Sequence, residues 1–295
     1  MKMVMNSPAI SVIVTAYNRH QFLENCLSSL AEQSCGDFEV ILVTNFEYDI
    51  KSFDSMNIKH IVMSGSVGEF LAAAILNSAG ELLCFLDDDD TFMKNKIQVV
   101  KKFFKNDRVA YLHNYARILT DSGLHSRLFF PPDFNMSCIS IRKDITLKHI
   151  DNIKTIVTGQ DSFFYTLAVC SGGIVKGIKK KLTTYRVHKK NTTSLEINRQ
   201  WLDTYLGEIT HFKFIFNCKT GRNYLTKLQM TAILKMYLFF DVKDVLNHNL
   251  NETITIWIYL YFKALSDRNL GELIRLNHHF GSYIIARFET FIGAT

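Results

Sequence analysis

No two of the six cysteines stand in a C-x-x-C pair. Cys26, Cys35, Cys84, Cys138, Cys170 and Cys218 are scattered, several of them inside apolar patterns. That excludes a zinc ribbon or a redox dithiol and predicts buried free thiols in a reducing compartment. The chain also lacks any run of 18 or more uncharged apolar residues, so no membrane-spanning helix is expected. Its first seven residues are polar and short, and the apolar run after them has strand character, which argues against a signal peptide. The expected location is therefore cytoplasmic, peripheral at the inner face of a membrane. Acidic residues are missing from residues 171–195, where Lys176, Lys179, Lys180, Lys181, Arg186, Lys189 and Lys190 accumulate. Such a segment is either a solvated basic face or a surface for phosphate or anionic lipid. No nucleic-acid-binding motif accompanies the charge, so nucleic acid is not an expected partner. Two glycine signatures are absent as well: there is neither a G-x-G-x-x-G after the first strand nor a P-loop. A nucleotide bound here is not held by a glycine-rich loop.

What remains is an ordinary globular composition, 47% hydrophobic and 21% charged with a formal charge of +6. It carries one unusual stretch. Residues 82–86, Leu-Leu-Cys-Phe-Leu, run straight into Asp87, Asp88, Asp89 and Asp90. The apolar part has the length and bulk of a strand buried on both faces. Four adjacent carboxylates repel one another and are costly to desolvate, so the strand must end there with its acids at the C-terminal edge. In an open α/β sheet that edge is where ligands bind. Clustered oxygen donors suit a hard divalent cation, Mg²⁺ or Mn²⁺, which commonly brings phosphate with it. An idle, solvated acidic loop is the alternative.

Residues 9–17 form a buried strand, and a helical face follows over residues 21–32, with Asn18 and Gln21 as its start pairing. Strands are predicted over 38–43 and 58–63, helices over 69–79 and 93–104. Strands alternating with helices mean βαβ units, so the first 110 residues or so read as a Rossmann-like nucleotide-binding half with a mostly parallel sheet. Beyond Val109, residues 109–119 and 124–130 flank Asp121-Ser122-Gly123 as a hairpin. Further strands are expected over 138–142, 174–178 and 181–188, with a helix over 162–170. After Glu196 strand signals vanish, and segments 201–216, 225–240, 253–265 and 270–291 favour helix. Residues 254–262, nearly all apolar and aromatic, are either core or a face toward lipid or a partner.

Three separated pieces carry a resemblance: Ser11-Val12-Ile13-Val14-Thr15-Ala16-Tyr17-Asn18, the Gly80–Asp90 stretch, and Tyr185-Arg186-Val187-His188 with Asn191 and Ser194. In order and spacing they resemble family 2 glycosyltransferases of the GT-A fold, inverting enzymes, across roughly residues 8–195. The resemblance implies a GT-A domain over 1–195, with a nucleotide-binding half (8–110) and an acceptor half (111–195); the helical tail lies outside it and reads as a separate subdomain over 196–295. The resemblance also implies that Thr15, Ala16, Tyr17 and Asn18 line the nucleotide. Asp87 and Asp88 face the ribose and donor sugar, and Asp89 holds a Mg²⁺ or Mn²⁺ cofactor. His188 either supports the metal or a phosphate oxygen, or is a packed or surface histidine. Asp161, following Gln160, matches the catalytic base; a helix N-cap is its alternative role. The family's paired aspartates after the second strand are replaced by Thr44-Asn45. Asn45 can still pair with a base edge. The expected partners are a nucleotide-diphospho-sugar (UDP-linked first, then GDP- or dTDP-linked) and a glycan or lipid-linked acceptor of cell-surface polysaccharide synthesis. Peripheral membrane contact and a homodimer through the helical tail complete the expectations. A catalytically inactive relative that binds nucleotide-sugar or glycan within a complex is the alternative.

Overall fold

A computed structural model of the protein describes residues 9–120, 135–188 and 199–239. The chain divides into two compact units, Met1–Glu196 with Phe212–Arg222, and Ile197–His211 with Asn223–Thr295.

The first unit is built on an eight-stranded sheet. Its strands are β1 (Ile10–Ala16), β2 (Phe38–Thr44), β3 (Ile58–Val62), β4 (Leu82–Asp87), β5 (Thr91–Phe92), β6 (Val109–Thr120), β7 (Ile139–Arg142) and β8 (Ile174–Val187). Their order is β3-β2-β1-β4-β7-β6-β8-β5. The β1–β2, β2–β3, β1–β4 and β6–β8 pairs are parallel. The β4–β7, β6–β7 and β5–β8 pairs are antiparallel. The sheet is thus mostly parallel, as the alternation of strand and helix predicts. Strands β1, β2 and β4 are buried nearly throughout, as expected of central strands covered on both faces.

Helices α1 (His20–Ala31), α2 (Val67–Asn77) and α3 (Lys96–Phe104) belong to the βαβ half. Helix α2 opens two residues ahead of the expected start at 69, with a capping box on the Ser66-x-x-Glu69 spacing. Ser66 Oγ accepts from Glu69 N, and the Glu69 carboxylate accepts from Ser66 N. The start pairing expected from Asn18 and Gln21 is not formed: Arg19 is the N-cap residue of α1 and makes no side-chain cap. Asn18 instead takes a left-handed backbone, φ 56°, which asparagine tolerates better than most residues.

Two short helices, α4 (Lys143–Leu147) and α5 (Ile150–Lys154), were not foreseen. Helix α6 (Gln160–Cys170) follows, entered through Gly159 at φ 73°, a conformation that disfavours residues with a Cβ. Phe164 of α6 stacks on Phe85 of β4, 4.7 Å between centroids, and Phe163 packs edge-on against Phe212 and Phe216. These contacts fix the start of α6 toward the C-terminal end of β4.

The two strands expected over 174–178 and 181–188 are one strand, β8, irregular where Asn114 pairs with Ile178 and Tyr115 with Lys181. That offset bulges the extra lysines out of the ladder. The second arm of the expected hairpin, residues 124–130, lies outside the described residues.

The cysteine expectation is corrected. Cys170 and Cys218 form a disulfide, with Cα atoms 5.5 Å apart, while Cys26, Cys35, Cys84 and Cys138 are free thiols. The pair is 48 residues apart in sequence, so no local motif announces it. The aromatic packing of α6 on residues 212–216 brings the two sulfurs together.

The second unit contains the first thirteen residues of α7 (Arg199–Ile215) and all but the first four of α8 (Lys219–Phe239). Trp201 stacks on Tyr205, and Gln229 Nε2 donates to Thr210 Oγ1 over 3.2 Å. The helices expected over 253–265 and 270–291 lie outside the described residues. Within those described, no helix is long and apolar enough to cross a membrane.

Candidate active site

Strand β1 lies between β2 and β4, so the chain runs outward from it in both directions. This is the switch point of the parallel half, and the crevice at its C-terminal edge is the expected ligand site. The sequence delivers its acids there. Thr15 pairs in register with Asp87, and Ala16 with Thr44. Asp87 is the last residue of β4, and the chain then turns, with Asp90 N donating to Asp87 O.

The four carboxylates are not a solvated loop. Asp88, Asp89 and Asp90 are 0%, 6% and 1% exposed. Burial pushes Asp88 up to about 8, with Asp89 and Asp87 adding to the rise and Arg19 opposing it. Asp87 is raised to about 7, mainly by burial, then by Asp89, with Asp161 adding its charge and Arg19 again opposing. Asp90 is raised well above the ordinary range by burial and by Asp89 and Asp87. Its Oδ1 accepts from Arg186 N over 2.9 Å, while its Oδ2 is buried without a hydrogen-bond partner.

Asp89 Oδ2 is the point of convergence. His188 Nε2 lies 3.0 Å from it and Arg19 Nη1 2.7 Å. His188 is 3% exposed, with its ring 4.5 Å from that of Phe22. Its surface alternative is therefore excluded. Among the described residues no group of three or more His, Cys, Asp or Glu side chains forms a ready-made cation site. Asp89 supplies a hard carboxylate oxygen and His188 a borderline imidazole nitrogen, a pair that suits Mn²⁺ more readily than Mg²⁺, and the Asp90 carboxyl lies in the same cluster. This donor set fits Mg²⁺ or Mn²⁺ whose remaining ligands come from a diphosphate and water.

Asp161 sits in the first turn of α6, half-buried. Its Oδ1 accepts from the backbone N–H of Ser162, the next residue, rather than capping the helix. Burial raises it to about 6, against the lowering effect of the Ser162 hydrogen bonds. Its charge adds to the rise at Asp87.

The remaining predicted residues lie along the same rim. Tyr17 is exposed, with its ring 6.1 Å from that of Phe70. Asn18 N donates to Asn45 Oδ1 and Asn45 Nδ2 donates to Asn18 Oδ1, so the two amides clasp each other. Thr44 Oγ1 donates to the carbonyl of Phe46 and lies 2.8 Å from His60 Nε2.

Two participants were not anticipated. Arg19, to which no role is assigned from the sequence, grips Asp88 and Asp89. Ser137, in the 3-10 turn Met136–Cys138, accepts from Asp87 N over 3.0 Å. Thr183 Oγ1 in turn donates to Ser137 O and accepts from Asn114 Nδ2, and Asn114 Oδ1 accepts from the fully buried Lys96 Nζ. A polar chain thus backs the cluster. No sequence signal marks Ser137; Arg19 was detectable only as a cation beside the first strand's end.

Comparison with known proteins points to one family. The sequence model described as Glycosyl transferase family 2 matches residues 11–171. A Rickettsia conorii protein described as an uncharacterized glycosyltransferase is 27% identical over 219 residues, covering 67% of this chain and 36% of its own length. This chain thus spans little more than a third of that relative. An Escherichia coli relative, the UDP-Glc:alpha-D-GlcNAc-diphosphoundecaprenol beta-1,3-glucosyltransferase WfgD, is 18% identical over 218 residues, covering 67% of this chain and 85% of its own. Among solved structures, residues 1–349 of TarS from S. aureus in complex with UDP-GlcNAc superpose with a TM-score of 0.60 at 17% identity, covering 93% of this chain and 88% of that one. The likeness to TarS establishes the GT-A type of fold.

Proposed function

The chain belongs to glycosyl transferase family 2, and on that premise we propose that it moves a sugar from a nucleotide-diphospho-sugar to a glycan or lipid-linked acceptor, inverting the anomeric carbon. The observation that carries this reading is the buried acidic cluster at the sheet's switch point with Asp161 beside it. Asp161, raised to about 6, is ionised at neutral pH yet basic enough to take the acceptor hydroxyl's proton. That oxygen attacks the anomeric carbon as the bond to the diphosphate breaks, and the diphosphate leaves with the bonding electrons. Asp89 and His188 would hold the divalent cation, Mg²⁺ or Mn²⁺. When bound, it supplies Lewis-acid neutralisation of the leaving diphosphate. Thr15, Ala16, Tyr17, Asn18 and Asn45 form the rim against which the nucleoside lies, and Asp87 and Asp88 orient the ribose and sugar. The UDP-GlcNAc bound by TarS and the UDP-Glc named for WfgD favour a UDP-linked donor. The diphosphoundecaprenol in the latter's name favours a lipid-linked acceptor.

Thermal-shift measurements against UDP, GDP, dTDP and CMP, each with and without Mn²⁺, test the donor site. The expected result is a Mn²⁺-dependent rise with UDP. No rise with any of the four would overturn the reading. A binding-only relative is the second reading, favoured by the Asn18–Asn45 clasp that occupies the amide expected to meet the base. It predicts the same shift with UDP-sugars but no release of UDP.

A further inference from the structure

The proposed transfer assigns no task to Arg19, although this side chain makes the most direct contacts with the acidic cluster. Its Nε donates to Asp88 Oδ2 over 3.0 Å and its Nη2 lies 2.5 Å from Asp88 Oδ1. Its remaining nitrogen, Nη1, reaches Asp89 Oδ2 at 2.7 Å. That is the oxygen on which His188 also converges, at 3.0 Å. Arg19 is thus held bidentately by Asp88 and laid singly on Asp89. Its backbone belongs to the loop between β1 and α1, and its side chain remains 23% exposed while both carboxylates are buried. A guanidinium and a divalent cation on one carboxylate oxygen repel each other, so each weakens the binding of the other.

We propose that Arg19 is the site's resident counter-cation. It pairs Asp88 and Asp89 while no donor is bound and yields the Asp89 oxygen to a divalent cation. Its Asp88 grip is kept, so the released Nη1 edge turns to the donor's diphosphate. This rests on the transfer reading above for the identity of the anion. A guanidinium suits the role, because its planar fork satisfies a carboxylate on one edge and a phosphate on the other. Arg19 is accordingly a positioning residue of the empty site and a binding residue of the loaded one.

Calorimetric titration of the full chain decides it, using wild type, Arg19→Gln and Arg19→Lys. MnCl₂ is titrated alone, and UDP is then titrated at saturating Mn²⁺. Arg19→Gln is expected to bind Mn²⁺ alone about tenfold more tightly, because a competing charge is gone. It should bind UDP in the presence of Mn²⁺ about tenfold more weakly, having lost a charge-assisted hydrogen bond. Arg19→Lys, which keeps the charge without the fork, should fall between in both titrations and guards against a misfolded Gln variant. A purely structural role would weaken both affinities together. Mn²⁺ affinity unchanged or weakened in a folded Arg19→Gln overturns the proposal. A wild type that binds Mn²⁺ but no nucleoside diphosphate overturns the transfer reading and the hand-over to phosphate, while the Mn²⁺ titrations still judge the competition at Asp89.

Discussion

The two ends of the parallel sheet bury carboxylates in opposite ways. At the N-terminal edge, Glu39 of β2 is 8% exposed, and its Oε1 accepts from Ser11 Oγ at 2.6 Å, Ala79 N at 2.5 Å and Gly80 N at 3.2 Å. Two of those donors are backbone amides, fixed by the turn that enters β4. At the C-terminal edge, four carboxylates crowd together, with one long arginine, one imidazole and one oxygen left unpartnered. The first arrangement spends a buried acid on architecture. The second keeps acids short of fixed donors, and that shortage is what a cation and a diphosphate can fill. Burial alone therefore does not mark a functional acid; the nature of its partners does.

The largest effect expected at the C-terminal edge comes from Asp161→Asn. It retains the oxygen that accepts from Ser162 and removes only the proton acceptor. Transfer should fall about 10²- to 10⁴-fold with the melting temperature nearly unchanged. Turnover of UDP-sugar within tenfold of wild type would remove Asp161 from the mechanism. In wild type the same group sets a pH limb. Its carboxyl, held at about 6, must be ionised to act, so kcat/KM should fall as pH drops through about 6.

Next in size is the response of stability to pH. Asp87 and Asp88, raised to about 7 and about 8, keep protons in the folded chain that the unfolded chain releases near the ordinary aspartate value. The stability from those protons is complete at low pH and is lost as pH rises through 7 to 8. The melting temperature without cation should therefore fall from about pH 4 to about pH 8 and level off above, and Mn²⁺ should restore it most at the alkaline end, where no proton competes. A flat profile, or a Mn²⁺ effect largest in acid, would mean that these carboxylates are not the cation site.

Much of this was legible in the sequence. Leu82–Asp90 shows both a buried strand and the reason it must stop, because apolar bulk and adjacent like charges cannot share one interior. The helical periods of α1 and α3 appear within a few residues of their bounds. The features that were not legible share one cause: they depend on residues far apart in the chain whose types are common everywhere. Arg19 reaches Asp88 across 69 residues, Ser137 reaches Asp87 across 50, and Cys170 meets Cys218 across 48. Nothing local in Asn18-Arg19 or Met136-Ser137 distinguishes a loop residue from a partner of the cluster. The family resemblance named the acids but not the cation that balances them, because the motif covers the strand ends and not what folds over them.

At the N-terminal edge a smaller but purely structural effect is expected from Gly80→Ala. A Cβ there would lie 2.6 Å from Ser11 N and 2.7 Å from the Ile10 carbonyl carbon, both backbone atoms that cannot step aside. The cost should be about 1–3 kcal/mol in urea unfolding. Mn²⁺-dependent UDP affinity of the folded protein should be unchanged, since the perturbed edge is at the other end of β4. Loss of that affinity would show that the two edges are coupled.

The smallest effect sharpens the contrast most, because it has the opposite sign. Asp90→Asn keeps Oδ1 for the Arg186 amide and replaces the orphaned Oδ2 with a neutral NH₂. It removes one of four like charges from a buried cluster in which Asp90 is already pushed well above the ordinary range. The cation-free protein should gain up to about 1 kcal/mol at alkaline pH, measured by urea unfolding, and the gain should shrink toward acid, where a carboxyl raised in this way keeps its own proton. At the same time Mn²⁺ should bind more weakly, because the site has lost negative potential. A stabilising substitution that costs ligand affinity is what a site held short of partners must give, whereas Glu39→Gln at the satisfied edge can only lose stability. Should Asp90→Asn destabilise the protein at pH 8, the unpartnered oxygen belongs to the architecture, and the distinction between the two edges fails at that residue.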